Sequence, residues 1–187
     1  MGFSFDIFGE EKVKWKNMAF LNPSRVLDML DLKESFVAAD FGSGSGGWVI
    51  PLAKRLKQGK VYAIDILEEP LSALKSKIRL EKILNIETIK SDVERTSKLL
   101  GNSCDLVLMT NLFFEVDDKK KVMEEGKRVL KKGGKLLVVD WKEDSPLGPG
   151  KKVSPEEIKK MAKETGLELE KEFSAGVYHW GLIFERL

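Results

Sequence analysis

Four short polar signals in this chain each stand where a strand-like run ends, three of the runs apolar and one, Ile86 to Lys90, alternating, and each can hold a small ligand. Asp40 closes the run from Phe36 and is followed by Gly42-Ser43-Gly44-Ser45-Gly46-Gly47. Asp65 closes Val61-Tyr62-Ala63-Ile64, Ser91-Asp92 follows Ile86 to Lys90, and Thr110-Asn111 follows Asp105 to Met109. Glycines without a Cβ let a loop take left-handed dihedrals and let a ligand approach the backbone closely. A helix starting just after the loop turns its unpaired N–H groups toward the same place. That combination is the chemistry of a nucleotide-type site. The sole histidine, His179, offers proton-acceptor chemistry, but a structural strand histidine is the simpler reading, so no catalytic residue is assigned. The sole cysteine, Cys104, reads as a buried strand residue rather than an activated thiolate, and it excludes an internal disulfide or a cysteine-based zinc site. No metal site is assigned.

The elements that must position these groups follow from the apolar periodicity. Asn22-Pro23 reads as the N-cap and first residue of a short helix that buries Val26, Leu27 and Leu30. After the first strand and the loop, Val49, Leu52, Ala53 and Leu56 recur at helical spacing, with Pro51 near the end of the first turn and Gly59 just past the end. Pro70 suits the start of the next helix, with Leu71, Leu74 and Ile78 as its stripe. A further helix over Lys119 to Leu130 is closed by Lys131-Lys132-Gly133-Gly134, and the fifth strand runs from Lys135 to Asp140. Strand and helix alternate to this point, which implies a parallel sheet with right-handed crossovers. A capping box at Ser154-Pro155-Glu156-Glu157 opens the last helix. Two final strands, Leu167 to Phe173 and Val177 to Arg186, are joined by only Ser174-Ala175-Gly176, which permits an antiparallel pair alone.

Composition narrows the partners. With 32 basic and 30 acidic residues the net charge is +2, so there is no polyelectrolyte signal for nucleic acid or an anionic membrane. No apolar run is long enough to span a bilayer and nothing resembles a signal peptide, which reads as a cytoplasmic protein. A chain of 187 residues suits one domain, over 22–187, preceded at 1–21 by an arm rich in aromatics. Phe3, Phe5, Phe8, Trp15 and Phe20 make that arm too apolar for a disordered tail, and the expectation is a lid on an apolar pocket. Oligomeric state is not legible.

Gly42-x-Gly44-x-x-Gly47 with Asp65 beyond it formally matches the dinucleotide fingerprint, which by itself favours NAD in an oxidoreductase. Two features oppose that reading. Asp40 puts a carboxylate beside the loop, where a pyrophosphate is repelled, and the terminal hairpin is foreign to the second half of a dinucleotide fold. A cationic nucleoside without phosphate is welcome beside an acid-rich rim, and S-adenosylmethionine (SAM) is such a ligand.

The motifs together resemble those of the class I SAM-dependent methyltransferases. Asp40-Phe41-Gly42-Ser43-Gly44-Ser45-Gly46 is similar to their acid-x-Gly-x-Gly-x-Gly motif, Asp65 to the acid ending their second strand, and Ser91-Asp92 to the polar pair after the third. Asp105 to Asn111 resembles their fourth-strand motif, and Val129 to Leu136 the passage into strand five. The resemblance covers residues 22 to 187. It implies an α/β, three-layer, Rossmann-like fold with a seven-stranded, mostly parallel sheet and a C-terminal antiparallel hairpin. SAM would be the cofactor and S-adenosylhomocysteine the product. It implies a cofactor site of Asp40, Gly42, Ser43, Gly44, Gly46, Asp65, Ile66, Asp92, Val93 and Asn111. The loop would pass under the methionine part with Asp40 near its ammonium, Asp65 would accept the ribose hydroxyls, Asp92 the adenine amino group, and Val93 would pack on the ring. Asn111 would face the methionine end.

Among subgroups the chain is most similar to the small-molecule enzymes of ubiquinone and menaquinone biosynthesis and the arsenite methyltransferases. The clustered cysteines of the arsenite enzymes are absent. So is the asparagine-proline-proline-aromatic signature of amino-group methylation, because Asn111 is followed by Leu112-Phe113-Phe114. The implied partner is a small-molecule methyl acceptor. A non-catalytic SAM-binding relative is the other class to be distinguished.

Overall fold

The computed structural model describes residues 21–187, so the arm and its aromatics lie outside the described residues except for Leu21. The helices are α1 (Pro23–Leu27), α2 (Val49–Arg55), α3 (Glu68–Glu81), α4 (Lys119–Val129) and α5 (Pro155–Glu164). The strands are β1 (Val37–Phe41), β2 (Lys60–Asp65), β3 (Ile86–Lys90), β4 (Cys104–Thr110), β5 (Leu130–Trp141), β6 (Leu167–Ser174) and β7 (His179–Arg186). They form one seven-stranded sheet in the order β3-β2-β1-β4-β5-β7-β6. The first five strands are parallel, and β7 runs antiparallel to both β5 and β6.

The near-continuous apolar runs of the central strands have a direct cause: both faces of the sheet are covered. On one face Ala39, Phe41, Val107, Met109, Leu136 and Val138 pack against the stripe of α4 and α5, through Val122, Met123, Ile158 and Ala162. On the other, Ala38, Leu106, Leu108, Leu137 and Val139 meet Val26, Leu27, Val49, Leu52 and Leu74 from the first three helices. Caps fix where helices begin. Asn22 accepts from the Arg25 amide, and Ser154 from the Glu157 amide at 3.1 Å. Pro51 is the third residue of α2, a tolerated place because first-turn amides have no partner inside the helix.

Two local expectations are corrected. The passage Lys131-Lys132-Gly133-Gly134 is not a helix cap. Leu130 is already extended and buried opposite Cys104, and the strand bulges before Lys135 meets Leu106. Burial of Leu130 and the 2.8 Å ion pair of Lys131 with Asp105 draw the chain into the sheet at once. The last strand begins at His179 rather than Val177, since Lys142 donates its amide to the Tyr178 carbonyl and holds that residue in the turn.

Gly59 is present for close approach. A Cβ there would stand 1.9 Å from the Phe36 carbonyl oxygen, which is backbone and cannot move aside alone. Gly59→Ala is expected to cost about 2 kcal/mol by overpacking the entry to β1 and β2. Urea denaturation measures it, and an unchanged midpoint would remove this account of the glycine.

Candidate functional site

All four polar signals arrive at one edge of the sheet, because parallel strands bring their carboxyl ends together, and the site lies in the crevice there. The β1–α2 loop is stitched to β2: the amides of Gly42 and Ser43 both donate to the Ile64 carbonyl at 2.9 Å. Gly42, Gly44 and Gly46 take φ of +72°, +51° and +88°, the left-handed region that their lack of Cβ permits. At Gly46 space is short as well, since a Cβ would sit 2.4 Å from Leu74 Cδ1.

A cavity of about 420 Å³ opens at this edge, in the range of small-ligand sites. Of the residues expected from sequence, Gly42, Gly44, Asp65, Ile66, Asp92, Val93 and Asn111 line it. Asp40, Ser43 and Gly46 do not. Asp40 is 1% exposed and lies beneath the loop rather than on the wall. Four carboxylates, of Asp65, Asp92, Glu94 and Glu115, line the cavity, and no lysine or arginine is among its described lining residues.

The carboxylates are already oriented. Asp65 Oδ2 accepts from the Gly44 amide at 2.8 Å and Oδ1 from the Leu67 amide at 2.9 Å. A carboxylate offers about four lone-pair directions, so each oxygen retains one for a further donor. Asp92 Oδ1 accepts from the Glu94 amide at 2.9 Å, and Glu94 in turn accepts from the amides of Asp117 and Asp118. Asn111 sits at φ +52°, a conformation asparagine tolerates better than most side chains, with its amide donating to the Val139 carbonyl.

Several buried polar atoms here have no hydrogen-bond partner among the described residues: both oxygens of Asp40, Ser43 Oγ and Asn111 Oδ1. Such orphans are uncommon and cost about 1–3 kcal/mol each, so their grouping at the ends of β1 and β4 fits a site for a ligand that brings hydrogen-bond donors. Burial, with a smaller contribution from the nearby Asp65 charge, pushes the Asp40 carboxyl up to about 8. A ligand cation held above the loop would favour the ionised form through its charge.

Sequence reasoning missed Glu94 and Glu115 on the wall, and it did not single out Asp140, which lies off the wall. Asp140 is fully buried at the end of β5 and pushed up to about 6, chiefly by burial, while the amides of Trp141 and Phe113 hold it down. Its signal was legible, as an acid ending an apolar strand in the manner of Asp65. Glu94 and Glu115 carried none, since they reach the cavity through loops. Cys104 is buried in β4, and burial pushes its thiol up to about 11, which leaves no thiolate. Among the described residues no cluster of three or more metal-ligating side chains occurs, and no helix is long and apolar enough to cross a membrane.

Residues 39–138 match the family described as Methyltransferase domain. A SAM-dependent methyltransferase structure from Aquifex aeolicus is 29% identical with a TM-score of 0.84, covering 98% of this chain and 100% of that one. A magnesium protoporphyrin IX methyltransferase from Synechocystis, solved with bound SAM, is similar in fold, with a TM-score of 0.73 at 16% identity over 100% of this chain and 87% of its own. A demethylmenaquinone methyltransferase from Bacillus mycoides is 28% identical over 121 residues, 64% of this chain and 51% of that protein. The chain spans about half the length of the curated relatives it matches.

Proposed function

Because the chain belongs to the methyltransferase-domain family of class I SAM-dependent enzymes, we propose that it transfers the SAM methyl group to a small, mainly apolar acceptor. The observation that carries the reading is the cavity's charge. Four carboxylates line the wall, with Arg95 beside Asp92 at 3.4 Å, and this excess of acid suits a ligand bearing a sulfonium and an ammonium and disfavours the pyrophosphate of a dinucleotide. The ammonium then lies above the β1–α2 loop, where its charge acts on Asp40 buried beneath, and Asn111 lines the same wall. Asp65 keeps its two unused lone pairs for the ribose hydroxyls, Asp92 takes the adenine amino group, and Ile66 and Val93 give the base apolar contact.

When bound, SAM supplies a methyl already activated by positive sulfur. The protein's part is to align donor and acceptor and exclude water, and no covalent intermediate with the chain is required. A small apolar acceptor is supported by the demethylmenaquinone methyltransferases among the relatives, and the aromatic residues before Asn22 are proposed as its cover.

The test is transfer of a labelled methyl group. The protein, incubated with methyl-labelled SAM and an organic-solvent extract of small molecules, is expected to move label into the organic phase and form S-adenosylhomocysteine. Protein that binds SAM yet forms no homocysteine product with any acceptor pool would be a non-catalytic binder.

A further inference from the structure

The loop after β1 has to be held in shape by its neighbours. Four of the six residues from Gly42 to Gly47 are glycine, the residue with the most backbone freedom to lose on ordering. A ligand that must itself order such a loop binds more weakly by that cost. Three consecutive loop residues are nevertheless fixed, all of them from β2 and α3. The Gly44 amide donates to Asp65 at 2.8 Å, and Gly46 packs so closely on α3 that a Cβ there would lie 2.4 Å from Leu74 Cδ1. Between them, Ser45 accepts twice from the Lys77 ammonium, at 2.8 Å on its carbonyl oxygen and at 3.3 Å on its hydroxyl oxygen.

Leu74 and Lys77 stand one turn apart on the same side of α3. Leu74 is fully buried, so its contact with the loop is part of the core. Lys77 is exposed, and its contact is a clasp made at the surface. The nearby Lys75 spends its charge within the helix, on Glu68 at 3.1 Å. Lys77 instead reaches across to the loop, and among the described residues it is the only lysine or arginine whose side chain is bonded there. Neither Ser45 nor Lys77 lines the cavity, but Gly44 does. Whatever Lys77 does for a ligand, it does through the loop.

We infer that Lys77 is a positioning residue for the cofactor, holding the Gly44-Ser45-Gly46 turn in the form that receives the amino-acid end of the ligand. The inference rests on the cofactor reading of the cavity and adds to it a residue outside the wall. Asp65 and Lys77 then divide the work. Asp65 holds the loop from the ribose side while keeping lone pairs for the ligand, and Lys77 holds it from the outer side without touching the ligand. Loss of Lys77 leaves the adenine and ribose contacts in place and loosens only the loop.

The test is calorimetric titration of the whole protein with S-adenosylhomocysteine and with 5′-methylthioadenosine, which keeps the adenine, ribose and sulfur but lacks the amino-acid part. Lys77→Met is expected to weaken S-adenosylhomocysteine binding about fivefold, the scale of losing exposed hydrogen bonds from a charged donor. Its affinity for methylthioadenosine and its urea midpoint should match those of the wild type. Lys77→Arg, which keeps a charged donor, should recover most of the loss. Unchanged S-adenosylhomocysteine affinity in Lys77→Met, or an equal loss for both nucleosides, overturns the inference. A wild type that binds neither nucleoside overturns the cofactor reading and this inference together, whereas wild-type binding of both without the selective loss in Lys77→Met overturns this inference alone.

Discussion

Asp40→Asn is expected to flatten the pH dependence of stability of the ligand-free protein while lowering its affinity for SAM. The carboxyl is buried without a hydrogen-bond partner among the described residues and pushed up to about 8 from a usual value of 3.8. Between those values the folded state holds a proton that the unfolded state has released. Stability therefore falls as pH rises through this window, by at most roughly 1.4 kcal/mol per pH unit from this group, and levels off above it. The asparagine has no such proton. Urea denaturation at pH 5 and pH 8 should show the variant gaining on the wild type by a few kcal/mol between the two. Parallel pH profiles would mean that Asp40 already has a partner. With SAM the sign reverses, because the ligand's ammonium favours the ionised carboxylate. Wild-type affinity should rise from pH 6 to pH 7.5, below the amine's own titration. The variant should bind roughly 100-fold more weakly with no such rise, the scale for removing one member of a buried charge pair.

Asp65→Ala is expected to weaken S-adenosylhomocysteine binding by roughly 100-fold, about 3 kcal/mol, the scale of losing hydrogen bonds to a charged group. Part of that loss is indirect. The Gly44 and Leu67 amides both donate to this carboxylate, so its removal also frees the loop that carries the methionine end. Asp65→Asn separates the two contributions, since its amide oxygen still accepts one loop N–H. Calorimetry alongside a urea midpoint reads both, and unchanged affinity in a folded variant would reduce Asp65 to a turn residue.

The sheet was legible because β1, β2, β4 and β5 are apolar, largely buried runs and β3 alternates, each followed or closed by a polar residue at its carboxyl end. Asp40, Asp65, Asp92 and Asn111 could be picked out for that reason, and the short link after Phe173 fixed the direction of the hairpin. What stayed hidden depended on tertiary partners. Leu130 continues directly into β5 because Cys104 and the core receive it, which a local helix-end signal cannot foretell. Glu94 and Glu115 reach the cavity from loops, and no periodicity marks a loop residue as facing a site. The burial of His179 without a hydrogen-bond partner for either ring nitrogen among the described residues is likewise a property of packing.

The central claim is that this crevice takes a cationic nucleoside rather than a dinucleotide, and parallel calorimetric titration with S-adenosylhomocysteine and NAD tests it most directly. S-adenosylhomocysteine, which retains the ammonium, ribose and adenine, should bind the wild type and bind Asp65→Ala far more weakly, while NAD should give no heat beyond dilution. Tight NAD binding with no response to S-adenosylhomocysteine would contradict the account.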